Sequence, residues 1–100
     1  MAVVSDRFAR FRAATAAALL DGPGSLPADV RRAIADGKPP RELQSLVEKI
    51  RTHAFTVADA DVEALQHLYS EDQIFEIILA AAFGAADERL AAARRAVDAA

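Results

Sequence analysis

Ser70-Glu71-Asp72-Gln73-Ile74-Phe75-Glu76-Ile77-Ile78-Leu79-Ala80-Ala81-Ala82-Phe83-Gly84-Ala85-Ala86 is the stretch that decides the fold. Its first four residues make a capping box, in which Ser70 and Gln73 satisfy each other's backbone amides. Glu71 and Asp72 suit the positive end of the helix that follows. Behind this start, Ile74, Ile77, Ile78 and Ala81 cover one side of a helix and Phe75, Leu79 and Phe83 another, with Glu76 the only charge up to Ala86. A helix apolar around most of its circumference is expected to be buried, either centrally or between subunits. Ala80-Ala81-Ala82 and Gly84-Ala85-Ala86 let neighbouring backbones approach closely. Gly84 costs about 1 kcal/mol against alanine inside a helix. Leu90, Ala93 and Val97 nevertheless continue the apolar stripe with Arg94 and Arg95 outside it, so one long apolar C-terminal helix is predicted.

Working outward, four further helical stretches can be read and no strand. The first runs from about Asp6 to Leu20, with Ser5 as N-cap and Phe8, Phe11, Thr15 and Leu19 on one side. Asp21-Gly22-Pro23-Gly24 stops it. A short helix from about Leu26 to Asp36 has Pro27 in its first turn and Gly37 at the left-handed C′ position. After Lys38-Pro39-Pro40 comes an amphipathic helix with Leu43, Leu46, Val47, Ile50 and Ala54 inward. Thr56-Val57-Ala58-Asp59 reads as another capping box, opening a helix to about Leu68 with Val62, Leu65 and Tyr69 inward. The expectation is a single all-α domain over residues 1–100.

Composition narrows the chemistry. About a quarter of the residues are alanine, and Leu, Ile, Val and Phe supply about another quarter, enough for one compact core. A small domain carrying a helix apolar all round is expected to complete its core by self-association, so a homo-oligomer is predicted. There is no cysteine, which removes disulfides, thiolate metal sites and thiol nucleophiles. Net charge is −3 and pI about 5.3, so neither nucleic acid nor an anionic membrane is an expected partner. The longest uncharged stretch, Ile77–Ala86, is about half of what a bilayer requires. With no leader-like N-terminus, a cytoplasmic location is expected.

Few side chains present a catalytic pattern. His53 follows the amphipathic stripe near a helix C-terminus, where an imidazolium is favoured by the dipole. It can be read as a general acid/base in an interhelical pocket or as a structural, capping histidine. Spacing alone prefers the second, because a base needs another group within hydrogen-bond reach. Glu63 and His67 stand at i, i+4, but two ligands make no metal site. Asp59, Asp61 and Glu63 are accounted for by helix-start electrostatics, and Arg31-Arg32 and Arg94-Arg95 by solvated faces. Phosphate loops and hydrolase or metalloprotease motifs are missing from the sequence, and no cofactor or metal is expected.

The block from His53 to Leu90 resembles the carboxymuconolactone decarboxylase/alkylhydroperoxidase D-like family. The resemblance rests on His53-Ala54-Phe55, Asp59-Ala60-Asp61-Val62-Glu63-Ala64-Leu65, Ser70-Glu71-Asp72-Gln73-Ile74-Phe75-Glu76-Ile77 and Ala80-Ala81-Ala82-Phe83-Gly84-Ala85. It implies an alkylhydroperoxidase D-like helical bundle. Peroxidase members of that family carry C-x-x-C-x-x-x-H before the Ser-Glu-Asp-like cap. Counting back from the cap puts His53 at the first thiol position, Thr56 at the second and Ala60 at the histidine. The thiol relay therefore has no reactive groups here. The family's proton-transferring acid lies within one residue of Glu42. Three functions stay open: a cysteine-free oligomeric scaffold or small-molecule-binding protein, an acid/base lyase using His53 with Glu42, and a subunit serving a different partner chain.

Overall fold

The computed structural model describes residues 2–99, with side chains from Arg7 onward. Five α-helices follow one another without a strand among these residues: α1 (Ala2–Ala16), α2 (Ala28–Ala35), α3 (Gln44–His53), α4 (Asp59–Glu63) and α5 (Glu71–Ala99). Single turns extend three of the junctions: a π-helical turn at Ala17–Asp21 and 3₁₀ turns at Arg41–Leu43 and Ala54–Thr56. The cap expected at Ser5 lies outside the described side chains, and the helix already runs through that position.

α5 organises the rest. The expected capping box forms at its start: the Gln73 amide donates to Ser70 Oγ at 3.1 Å and the Ser70 amide to Gln73 Oε1 at 2.9 Å. The helix then continues unbroken through Gly84 for 29 residues, about 42 Å from end to end. α2 and α3 pack against its first half. Ile34, Leu43, Val47 and Ile77 are fully buried there, with Leu46, Ile50, Leu65 and Ile74 beside them. Gly84 is required by this packing, because a Cβ would meet the backbone of Ala35, with its Cα at 2.8 Å. α2 ends as expected, with Gly37 at φ 78°, its amide donating to Ile34 O and that of Lys38 to Ala33 O.

Three readings need correction. α5 is long, but it is not buried around its circumference: Phe75 is 61% exposed, and Leu90 and Val97 are 46% and 74% exposed. The core takes only one face because α2 and α3 approach from one side, and beyond Asp87 every α5 residue is exposed. Ala54, expected inward, is exposed in the turn after α3. The cap expected near Thr56 shifts by two residues and forms only in half: Asp61 Oδ2 accepts from the Ala58 amide at 2.8 Å, Ala58 has no side-chain oxygen to return the bond, and Thr56 Oγ1 instead donates to His53 O. α4 is correspondingly short. Turns carry the chain from Glu63 to Ser70, with Leu65 buried and His67 exposed.

The result is elongated: principal extents are 48 × 29 × 19 Å and the radius of gyration is 15.0 Å, against about 13 Å for a compact 100-residue domain. The projecting half of α5 accounts for the difference.

Candidate functional site

His53 ends α3, where the backbone turns away from helical geometry at φ −146° and ψ 64°. The Thr56 hydroxyl holds that turn by donating to the His53 carbonyl at 2.7 Å. The imidazole is exposed, with Nδ1 3.0 Å from Thr52 Oγ1 and its ring edge-on to Phe55 at 5.8 Å. A hydroxyl and a hydrocarbon ring do little to orient or tune a general base. A shallow groove of about 520 Å³ lies alongside, bordered by Ser45, Glu48, Lys49, Thr52, His53 and Thr56. Ala60 is exposed in the first turn of α4.

Glu42 lies at the other end of α3, on the 3₁₀ turn. Tyr69 Oη donates to Glu42 Oε1 at 2.6 Å. That bond, with a smaller backbone contribution, lowers the carboxyl below its ordinary value. Partial burial, then the hydrogen bond and the negative charge of Glu42, push the Tyr69 phenol up to about 12. Glu42 is thus a fixed carboxylate tying the start of α3 to the connection before α5. Eleven residues of helix separate it from His53, about 16 Å along the axis, and it is not part of the groove beside His53. Within one chain the two candidate catalytic groups are not brought together. Among the described residues no three His, Cys, Asp or Glu side chains cluster as metal ligands.

Arg31 departs from the solvated role expected of it. It is 4% exposed and donates to Leu19 O at 3.1 Å and to Gly22 O, with Nε 3.9 Å from Glu76 Oε1 and without a hydrogen-bond partner. Glu76 accepts from the Ser25 and Leu26 amides at 2.8 and 3.1 Å. Together they pin the α1–α2 connection to α5. Glu76, a lone charge in an apolar helix, was the available sign that a buried partner existed. Arg32 faces out and pairs with Asp21. Arg51 is also committed to structure, donating to Ala35 O at 2.8 Å and pairing with Glu88 beside a groove of about 550 Å³.

The surface that neither the core nor these pairs consume runs along α5. Phe75, Ala82, Ala86, Leu90, Ala93 and Val97 are exposed and Leu79 is half-buried. They recur at steps of four, three, four, four, three and four, and so share one face. α1 flanks it. A small apolar cleft of about 180 Å³ between the two helices is lined by Phe8, Phe11, Phe83, Ala86 and Leu90. Arg12 pairs with Asp87 across it, and Arg94 stacks over Phe8 at 5.3 Å. Phe11 is 73% exposed at its edge. Sequence reading carried the apolar stripe on through Leu90, Ala93 and Val97 without saying which side of α5 it continued; the eleven-residue recurrence that joins them to Phe75 and Leu79 was the signal available.

Comparison with known proteins adds no relative: no family model, no curated protein and no solved structure matches this chain. Among the described residues no helix is long and apolar enough to cross a membrane.

Proposed function

We propose that this chain is a non-redox helical scaffold subunit of the alkylhydroperoxidase D-like type, and that it works by assembly through the exposed face of α5. The observation carrying this reading is the apolar row Phe75–Val97, which lies away from the core along about 33 Å of helix. Contiguous exposed apolar surface of this extent marks an interaction site more often than an ordinary solvated face. The projecting half of α5 adds nothing to the buried core; its contacts within the chain lie at the surface, Glu88 with Arg51, Arg89 with the Arg51 carbonyl and Arg94 over Phe8. Redox chemistry has no thiol to run on. The lyase reading lacks a meeting point for His53 and Glu42 within one subunit.

Light scattering coupled to size exclusion tests the proposal. The wild type is expected to run as a multiple of 10.7 kDa at micromolar concentration, and Leu90→Lys with Val97→Lys as a folded monomer. A monomeric wild type would overturn it. Peroxide reduction with a dithiol donor is expected at background, and metal-free turnover would contradict the non-redox assignment.

A further inference from the structure

We infer that the occupant of the α5 face is a second copy of this chain, its own α5 laid antiparallel across a two-fold axis at Ala86. This rests on the scaffold reading above and specifies its partner. The spacing of the exposed row is the same read in either direction from Ala86, so reversing the helix superimposes the row on itself. In that register Ala86 meets its own counterpart, Leu79 meets Ala93 and Leu90 meets Ala82. Phe75 meets Val97 at each end. Large side chains thus face small ones over the middle of the contact, which is what close helix packing needs. Two eleven-residue repeats give 3.67 residues per turn, close enough to 3.6 that the row stays on one face throughout.

Charge sets the orientation. Glu71 and Asp72 open the helix as exposed acids and Arg95 lies exposed near its other end, whereas Glu76, Arg89 and Arg94 are engaged within the chain by the Ser25 and Leu26 amides, the Arg51 carbonyl and the Phe8 ring. An antiparallel pair lays the end of each helix that carries Arg95 towards the acidic start of the other, with Asp98 the single acid beyond Arg95. A parallel pair would set like charge beside like. The helix dipoles also oppose each other favourably in the antiparallel arrangement. An interface of this kind is isologous and closes at two copies. Phe11, at the edge of the α1–α5 cleft, would border it.

The absence of native cysteine makes the test direct, because a single introduced thiol reports its own position. Ala86→Cys alone is expected to oxidise to a disulfide-linked species of twice 10.7 kDa. Its yield should exceed that of Ser45→Cys, on the exposed face of α3, about tenfold or more, since apposed thiols meet at high effective concentration. Ala82→Cys and Leu90→Cys should each stay near that control alone and cross-link when mixed. Circular dichroism checks that each variant keeps its helices. Self-linking at every row position would mean a parallel pair and overturn the inference. An assembled wild type whose Ala86→Cys variant stays at control level would overturn this register while leaving the scaffold reading standing. A monomeric wild type would remove both.

Discussion

The two halves of α5 share a helix and similar alanine content but answer to different constraints. From Ile74 to Ala85 one face is packed against α2 and α3, and Gly84 lies so close to Ala35 that no side chain fits. From Glu88 to Ala99 every residue is exposed; Arg51 at the end of α3 holds Glu88 and Arg89, and α1 approaches along one flank where Phe8 lies under Arg94. Alanine therefore means two things in one helix. In the first half it admits a neighbour within the chain; in the second it leaves room for a neighbour still to arrive.

Substitutions should separate the halves sharply. Ile77→Ala, at a fully buried position, is expected to lose roughly 2–5 kcal/mol of unfolding free energy in urea, through lost burial and a cavity. A loss below 1 kcal/mol would mean the first half is not the core. Gly84→Ala comes next. Helix propensity alone favours alanine by about 1 kcal/mol, yet the Ala35 backbone in its path should make the change destabilising by about 1–3 kcal/mol. Stabilisation would show that α2 stands further from α5. Ser70→Ala removes the cap hydroxyl that starts the buried half and should cost about 1 kcal/mol by the same measurement.

The flank held by Arg12 and Asp87 responds to acid. The hydrogen bond from Arg12, more than its charge, holds the Asp87 carboxyl below its ordinary value of 3.8. Its contribution is present above that value and is lost as pH falls through the lower, folded-state one. Protection of α1 amides, taken relative to their intrinsic exchange, should therefore fall on acidification below pH 3.8, and Asp87→Asn should show that lower protection already at neutral pH. Unchanged protection in Asp87→Asn would mean that the apolar cleft alone holds α1. The smallest effect belongs to Val97→Ala in dilute solution, where unfolding free energy should move by less than about 0.5 kcal/mol. A larger loss there would erase the distinction between the halves.

Local signals were legible where four or five residues determine the outcome. Ser70–Gln73 forms the box its letters spell, and Gly37 takes the left-handed conformation that ends α2. The similar letters at Thr56–Asp59 slide by two residues, because Asp61 can both cap Ala58 and pair with Lys49 at 2.8 Å. That choice is tertiary. Arg31 was misread for the same reason: nothing nearby in sequence shows that Leu19 and Gly22 carbonyls wait inside the fold. For the candidate site, His53 stood out by its place near a helix C-terminus and Glu42 by counting along the resemblance, and neither route says that two groups meet. The rise of a helix can, and eleven residues of it hold these two ends apart within a chain. Sequence made the apolarity of α5 plain, but which face would stay open depended on where α2 and α3 land.

The grip of Glu76 on the Ser25 and Leu26 amides has a consequence in time. Those bonds join positions 51 and 50 residues apart, so they form only after α5 has docked and the intervening chain has been gathered in. The link between α1 and α2 should be the last part of the fold to lock and the first to release. Glu76→Gln would then speed unfolding while leaving the refolding rate nearly unchanged.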